Sequence, residues 1–396
     1  MNDVYRGLID TQAEHLLAGY RSESPFFFAT PEHTLLAQGH YATVPQVKNL
    51  SVLSRVVEVE LKKAKSKGHP NPIVVGAIPF DATQPACLTI PHHVLYAGPL
   101  ARQAELVCAR AGAFTITPQP APQVYADGVA AAVRKIKENH LNKVVLARTL
   151  DLSTDSAIDV QYLLERLARH NAHGYTFAVN LSDTAGQGTL VGASPELLLS
   201  RRGLQVRSNP LAGSAARAKD PMEDIRRSQA LLLSPKDLHE HQVVADAVAQ
   251  GLRPYCRTLD VPAGPSLIHT EAMWHLSSDI RGELAHPQTS SLQMAASLHP
   301  TPAVCGYPHE KAFELISQIE TFDREFYAGM VGWCDAQGNG EWVVTLRCAR
   351  VNGHSMRLFA GAGVVAESQP ESELAETGAK FRTMLNALGL APAGAL

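Results

Sequence analysis

Apolar runs of strand length follow one another directly in the middle of the chain, with no helical segment between them. They cover Tyr175–Leu181, Thr189–Gly192 and Leu197–Ser200. Parallel neighbours in a sheet are joined by long crossovers, usually helices, so a doubly wound sheet alternates strands with helices. The order here instead favours an α+β fold or a layered sandwich.

Further elements are predicted on both sides of these runs, from apolar alternation or from apolar residues at helical spacing. The predicted strands are 26–29, 73–78, 144–150, 330–334, 341–351 and 356–360, and the predicted helices are 50–67, 125–138, 222–233, 235–252 and 371–388. The prolines of segment 118–122 predict a short, stiff linker. This linker would separate an N-terminal subregion, about 1–122, from a core of about 123–396.

Composition excludes several classes of protein. Apolar residues make up 45% of the 396 residues and the net charge is −3, which argues against a disordered chain and against nucleic-acid binding. No apolar run of about 18 residues predicts a membrane span, and the first residues lack the apolar stretch of a secretory signal. No two of the six cysteines form a C-x-x-C pair, which argues against structural zinc. We therefore predict a cytoplasmic, globular protein that binds neither nucleic acid nor membranes.

A charged residue lies within the most informative of the predicted strands, 341–351. Apolar side chains dominate both faces of this strand, yet Arg347 lies on one of them. A buried guanidinium needs a partner, because leaving it unpaired costs several kcal/mol. The partner is either an acidic side chain of the protein or a carboxylate of a ligand, and the spacing alone does not distinguish the two.

Two predicted helices carry acidic residues beside apolar stripes. Glu240 begins a stripe at helical spacing, so it lies either near a solvated helix end or inside the protein with a partner, such as a metal ion. Glu373, Glu376 and Lys380 share one stripe of the last helix. The simplest interpretation of that stripe is a solvated Glu376–Lys380 pair at i, i+4.

Lys143 and Glu196 lie at predicted strand ends, where charged side chains are usually exposed. Burial disfavours the charged form of either group, so a desolvated lysine becomes a usable base and a buried glutamate a proton donor. Glycines cluster in 211–214 and 359–364, where backbone N–H groups could approach an anion, although tight turns explain such clusters more often. Neither cluster has the pattern of a phosphate-binding loop.

Together, these motifs resemble those of the chorismate-utilising enzymes, and most of all the isochorismate synthases of catecholate-siderophore (2,3-dihydroxybenzoate) pathways. Seven elements occur in the family's order, and segments 26–28 and 75–81 extend the resemblance over nearly the whole chain. The seven elements are Lys143–Arg148, Gly192–Leu197, Pro210–Ser214, Lys236–His241, His299–Ala303, Phe359–Gly363 and Glu376–Gly378.

The resemblance implies one large α/β sandwich over residues 1–396, with antiparallel sheets inside and helices outside. The proline linker would then be internal to a single catalytic domain. The implied reaction converts chorismate to isochorismate, in which water adds at C2 of the ring while the C4 hydroxyl leaves, with Mg²⁺ as the cofactor. We expect a monomer that takes chorismate as its small-molecule substrate.

The resemblance also implies roles for individual residues. Lys143 corresponds to the general base that activates water, and Glu196 corresponds to the general acid that protonates the departing hydroxyl. Glu240 and Glu376 correspond to the magnesium ligands, with Glu373 one layer further from the ion.

Eight further positions correspond to substrate-binding residues of the family. One of them, Arg347, matches a carboxylate clamp on the enolpyruvyl side chain. The eight are Gly213, Ser214, His275, Ala303, Tyr327, Arg347, Gly361 and Lys380.

Three alternatives stay open at this point. A salicylate synthase would form isochorismate and then expel pyruvate, and Tyr327 and Leu346 are closer to that type, whereas Ala303 and Val304 are closer to the isochorismate type. An aminating synthase is disfavoured because Lys143 suits the activation of water. A binding protein without turnover is disfavoured because binding alone needs neither a proton donor nor a proton acceptor.

Overall fold

The computed structural model describes residues 12–101, 113–138, 140–171, 173–181 and 187–390. Its helices are α1 (Ala13–Gly19), α2 (Leu50–Ser66), α3 (Pro122–Lys137), α4 (Val160–His170), α5 (Pro221–Leu233), α6 (Pro235–Leu252), α7 (Ser291–Leu298), α8 (His309–Ile319) and α9 (Pro370–Ala387). Its strands are β1 (Phe26–Ala29), β2 (Thr34–Gln38), β3 (Ala42–Thr43), β4 (Ile73–Ile78), β5 (Cys87–Ile90), β6 (His93–Ala97), β7 (Phe114–Gln119), β8 (Lys143–Thr154), β9 (Tyr175–Asn180), β10 (Thr189–Ser194), β11 (Leu197–Arg202), β12 (Gln205–Asn209), β13 (Leu211–Ala216), β14 (Cys256–Asp260), β15 (Ser266–His269), β16 (Met273–Ser277), β17 (Ile280–Leu284), β18 (Gly306–Tyr307), β19 (Met330–Asp335), β20 (Gly340–Val344), β21 (Cys348–Asn352) and β22 (Ser355–Val364).

The strands form three sheets, and every strand pairing in the described part of the chain is antiparallel. The first sheet has the order β18-β8-β22-β21-β10-β9-β1-β2-β6, with β7 also paired to β8. The second has the order β14-β17-β12-β11-β20-β19-β4-β5-β3, and the third is β13-β16-β15. Strands from before residue 122 therefore belong to both large sheets.

Alternation along β1 illustrates how the layers are built. Phe26 and Phe28 belong to the main core, which they share with α2, α7 and strands of the second sheet. Phe27 and Ala29 point to the opposite face, in a second core formed with α1, α4 and α9. Successive side chains of a strand point to opposite faces, so each face of the first sheet buries its own apolar set. The predicted α+β sandwich, with antiparallel sheets inside and helices outside, is confirmed.

The helices α6 and α9 lie where the sequence predicts, to within one residue at each end. The helix α6 has the predicted bounds because Ser234 caps it: the Ser234 side chain accepts a hydrogen bond from the Asp237 N–H at 3.2 Å, and Pro235 occupies the first turn. The predicted bounds of α9 differ from the observed ones by one residue at each end. The strand β8 is longer than predicted, and its first residue is Lys143.

The single strand predicted over 341–351 is wrong. The strand β20 ends at Val344 in the second sheet, and β21 begins at Cys348 in the first sheet. Between them, Arg347 has a φ of 48°, a left-handed conformation that a continuous strand cannot contain. The apolar pattern concealed this break because each half is buried within its own sheet.

A second chain crossing between the large sheets lies beside this one. The strand β10 in the first sheet continues through residues 195–196 into β11 in the second sheet. The Ser194 hydroxyl donates a hydrogen bond to the Val344 carbonyl at 2.6 Å, and the Val344 N–H donates to the Glu196 carbonyl at 3.1 Å. These bonds tie the two crossings together.

The linker predicted at 118–122 is also wrong. Pro118 and Gln119 belong to β7, which pairs with β8, and Pro122 begins α3. Proline lacks a backbone N–H, so it is tolerated in an edge strand and in the first turn of a helix. The three prolines therefore join two packed elements.

Within the described ranges, no helix is both long enough and apolar enough to cross a membrane.

Candidate active site

A pocket forms where the two chain crossings meet β13, β16, β22, α6 and α9. Eleven of the thirteen predicted site residues line it. The remaining two, Lys143 and Glu373, lie directly behind the wall, where they contact other charged residues. The eleven are Glu196, Gly213, Ser214, Glu240, His275, Ala303, Tyr327, Arg347, Gly361, Glu376 and Lys380.

Glu196 lies at the crossing between β10 and β11 and is 2% exposed. Burial raises the pKa of its carboxyl from 4.5 to about 8. A backbone hydrogen bond from Leu211 and the charges of Lys143, Arg347 and Lys380 act in the opposite direction but do not cancel this effect. The carboxyl is therefore mostly protonated at neutral pH and has a proton to donate.

Lys143 is 1% exposed, and its Nζ lies 2.9 Å from Oε1 of Glu240 on α6. Burial acts to raise the pKa of Glu240, but the charge and hydrogen bond of Lys143, together with the charges of Lys236 and Lys380, outweigh it, and the net shift is downward. Gly363 makes this contact possible, because a Cβ at that position would lie 2.3 Å from Glu240 Oε1 and 3.2 Å from Lys143 Cε.

Two further lysine–acid pairs involve α9. Lys236 Nζ lies 2.8 Å from Oε1 of the buried Glu373. Lys380 Nζ lies 2.6 Å from Oε1 of Glu376, and it also donates a hydrogen bond to the Gly361 carbonyl at 2.8 Å. The simplest interpretation of the Glu376–Lys380 pair, a solvated surface pair, is therefore wrong, because both residues line the pocket.

The acids of α9 also interact with each other and with β13. Burial and the neighbouring charge of Glu376 raise the pKa of Glu373. The Ser214 hydroxyl donates a hydrogen bond to Glu376 Oε1 at 3.0 Å. Gly213 precedes this serine with a φ of 77°, a conformation that favours glycine.

The predicted metal ligands only partly converge. No group of three or more His, Cys, Asp or Glu side chains in the described ranges is arranged to hold a metal ion. Glu240 and Glu376 nevertheless line the same pocket, whereas Glu373 is held behind it by Lys236. Carboxylate oxygens suit Mg²⁺, which commonly takes one or two protein carboxylates and completes its shell with water and substrate oxygens. Glu240 and Glu376 fit such a site.

Arg347 has no acidic partner among the residues that the structure describes. Its Nη2 lies 3.3 Å from Nε2 of His275, and its buried Nε has no hydrogen-bond partner there. Burial and the charges of Arg347 and Lys380 hold the pKa of His275 well below its usual range, so the imidazole is neutral and accepts this bond. Of the two partners that the sequence allows for Arg347, a protein acid is therefore not found within the described ranges, and a ligand carboxylate is favoured.

Apolar and aromatic groups form the remaining wall. The Tyr327 ring stacks on Phe359 with a centroid separation of 5.4 Å and an interplanar angle of 8°. Gly361 lies against the other end of this tyrosine, since a Cβ there would lie 2.7 Å from the Tyr327 hydroxyl oxygen. Ala303 and Val304 reach the pocket from the loop after α7.

Three residues near the site received no role from the sequence. Lys236 lies one turn before Glu240 in the same motif, and this spacing could have indicated a charge cluster. Glu320 and Arg324 are also four residues apart, and their side chains are each 3% exposed. Both residues follow the end of α8, so their i, i+4 spacing is not on a helix, and their contact and burial depend on distant strands.

The raised pKa of Glu196 predicts a pH-dependent stability. The unfolded carboxyl ionises near its ordinary value of 4.5 and the folded one near 8, so Glu196 increasingly destabilises the fold as pH rises between these values. We expect the free energy of unfolding of Glu196→Gln, relative to that of the wild type, to increase by several kcal/mol between pH 4.5 and pH 8.5. The reason is that a tenfold change in the acidity of one group corresponds to about 1.4 kcal/mol. Urea unfolding of both proteins at the two pH values measures this gain. A difference in stability that does not change with pH would contradict the prediction.

The comparisons with known proteins agree with the family that the motifs predict. The model of the family described as "Chorismate binding enzyme" matches residues 100–389. The isochorismate synthase DhbC of Bacillus subtilis (strain 168) is 53% identical over 390 residues, covering 97% of this chain and 98% of that protein. The vibriobactin-specific isochorismate synthase of Vibrio cholerae serotype O1 is 44% identical over 382 residues, covering 96% and 95%.

A solved structure extends the match to three dimensions. The crystal structure of DhbC from Bacillus anthracis has a TM-score of 0.92 and 54% identity to this chain, and the match covers 96% of this chain and 100% of that one. The family and the fold that the motifs predict are confirmed. The chain therefore belongs to the family of chorismate-binding enzymes.

Proposed function

We propose that this protein is an isochorismate synthase, which adds water at C2 of chorismate while the C4 hydroxyl leaves. Full-length relatives at 53% and 44% identity are isochorismate synthases. The single observation that carries the proposal is the buried Glu196, located in a pocket where Arg347 has no acidic partner in the described residues. Such a pocket offers a proton to a departing hydroxyl and a cation to a substrate carboxylate.

Glu196 is the proposed general acid. Hydroxide is a poor leaving group, so the C4–O bond breaks more readily when a proton arrives on the oxygen. A carboxyl with a pKa of about 8 holds that proton at neutral pH. The same group, once ionised, can accept a proton in the reverse reaction, because the two compounds interconvert.

Lys143 is the proposed general base. Its Nζ lies beside Glu240 at the pocket wall, 2.9 Å from the carboxylate. An amine accepts a proton only in its neutral form. The proposal therefore includes transfer of the Lys143 proton to the Glu240 carboxylate or to solvent before the neutral amine takes a proton from the attacking water.

Arg347 and His275 are proposed to orient the substrate. Chorismate has two carboxylates, and the planar guanidinium can bind the one on the enolpyruvyl side chain with two parallel hydrogen bonds. The neutral His275 accepts a hydrogen bond from the Arg347 guanidinium at 3.3 Å, and it has no negative charge that would compete with the substrate carboxylate. Gly213, Ser214, Ala303, Tyr327, Gly361 and Lys380 complete the proposed substrate site.

Glu240 and Glu376 are the proposed ligands of Mg²⁺, with Glu373 behind them. When bound, Mg²⁺ would neutralise the ring carboxylate of the substrate, which these acids would otherwise repel. Ser214 orients one oxygen of Glu376, and Lys236 keeps Glu373 in place, so this chain holds its acids in position through its own side chains.

The wider assignment is also a proposal. We propose one catalytic domain over residues 1–396, supported by strands from both sides of residue 122 in each large sheet. We further propose a cytoplasmic monomer that supplies isochorismate for a 2,3-dihydroxybenzoate-type siderophore, since one relative is named as specific for vibriobactin.

Incubation with chorismate and Mg²⁺ tests the proposed reaction. We expect isochorismate to accumulate without pyruvate, with the products separated by chromatography and identified by mass, and pyruvate followed by a coupled lactate dehydrogenase assay. Stoichiometric pyruvate would instead identify a salicylate synthase, an alternative that the relatives do not favour. Absence of turnover would indicate a binding protein.

Replacing Lys143 tests the base. We expect Lys143→Ala to lower kcat by a factor of about 10²–10⁴, the usual contribution of a positioned acid or base, while the circular dichroism spectrum stays native. Lys137→Ala is the matched control, because this lysine is exposed at the end of α3. A Lys143→Ala variant with wild-type turnover would remove Lys143 from the mechanism.

Replacing Glu376 tests the metal site. We expect Glu376→Gln to weaken Mg²⁺ binding by at least about tenfold, because a neutral amide replaces a charged ligand. Calorimetric titration with Mg²⁺ measures this without turnover. Asp246→Asn, on the exposed side of α6, removes the same charge away from the pocket and should leave the affinity unchanged. Equal affinities in all three proteins would exclude Glu376 as a ligand.

A further inference from the structure

The outer edge of β8 is incompletely paired where it passes the pocket. At its beginning, Lys143 and Val144 pair with β18. From Thr149 onward, β8 pairs with β7. Between these two partners lie residues 145–147, of which Val145 lines the pocket, and unsatisfied peptide groups there would be costly because the strand is buried.

A buried ion pair fills this gap. The Ala147 N–H donates a hydrogen bond to Glu320 Oε1 at 2.7 Å, and Arg324 Nη2 donates to the Val145 carbonyl at 2.7 Å. Arg324 Nε in turn donates to Glu320 Oε2 at 2.8 Å. The carboxylate and the guanidinium thus take the places that the C=O and N–H groups of a neighbouring strand would have.

The same guanidinium also binds the loop after α7, whose Cys305 carbonyl accepts a hydrogen bond from the Val145 N–H at 2.8 Å. Arg324 Nη1 donates a hydrogen bond to the Val304 carbonyl at 2.8 Å. The centre of the guanidinium lies 4.4 Å from the Phe80 ring centroid and 6.0 Å from that of Tyr327. Val145, Val304 and Tyr327 all line the pocket, and they come from β8, the loop after α7 and the segment before β19.

We propose that Glu320 and Arg324 form a positioning pair that fixes the apolar wall of the pocket relative to Lys143 and Glu196. One planar group binds the backbones of Val145 and Val304 at once, so it fixes the loop after α7 against β8 and thereby the apolar wall that the two segments share. This inference rests on the proposed function, because the wall matters only if it holds the substrate ring in place for the attack of water.

Arg324→Lys tests this role, because lysine keeps the charge but lacks the planar fork that reaches four acceptors. We expect kcat to fall about 100-fold, the cost of a small misplacement of reacting groups. We expect KM for chorismate to change less than about threefold, since Arg347 and the proposed metal site, which bind the two carboxylates of the substrate, are unchanged. A loss of stability alone would not produce this separation of kcat from KM.

Arg201→Lys is the matched control. Arg201 is also 3% exposed and donates to three backbone carbonyls, those of Gly203, Pro287 and Thr289, but it does not line the pocket. We expect Arg201→Lys to have a lower melting temperature than the wild type, as Arg324→Lys does, but to keep the wild-type kcat. Equal kcat values for the two variants would overturn the positioning role.

Two further measurements separate the remaining outcomes. Glu320→Gln keeps the shape of the carboxylate and should lower kcat in the same direction, with a smaller loss of stability. If neither variant of the pair folds, the pair is a stability element only and the inference fails. If the wild type does not convert chorismate, both the proposed function and this inference fail, whereas wild-type turnover with an unaffected Arg324→Lys removes the inference alone.

Discussion

Compensation of charge in a buried pocket is the interaction on which the rest of this site depends. Three acids that would be unstable alone each have a lysine within 2.9 Å: Lys143 with Glu240, Lys236 with Glu373, and Lys380 with Glu376. An unpaired buried carboxylate avoids the cost of its charge by taking a proton. Glu196 is such an unpaired carboxyl, because no ion pair in the described residues involves it. Burial raises its pKa to about 8. The site therefore combines acids that are paired with lysines and an acid that is not, and this difference supports separate metal-binding and proton-donating roles.

The geometry that creates this difference comes from two places where the chain passes between the large sheets. Glu196 lies in one crossing and Arg347 in the other, and the bonds between Ser194, Val344 and the Glu196 carbonyl join them. Side chains at such a crossing leave the pleated surfaces and point into the space between the sheets. The left-handed backbone of Arg347 lies between β20 and β21, where the chain passes from the second sheet to the first. The proposed catalytic and substrate-binding groups thus lie where regular pairing ends, while the sheets on either side hold them in place.

Much of the fold could be predicted because its elements follow local rules. The serine cap and first-turn proline of α6 define where that helix begins, and apolar alternation identifies strands such as β4. The errors have a physical cause of the same kind in each case. The break at Arg347 and the packing of the prolines of 118–122 depend on partners that are distant in sequence, namely the two sheets and β8. Local pattern contains no information about either partner.

The sequence by itself determined the types of residue available for chemistry and their order along the chain, and the motifs they form were enough to identify the family. Only the tertiary structure decided which of them are charged, which are protonated and which face one another. The physical reason is that ionisation depends on burial and on neighbouring charge, and both arise when segments as distant as β8, α6 and α9 pack together. The Glu320–Arg324 pair shows the same division: its spacing is local, but its contacts with Val145 and Val304 exist only in the folded protein.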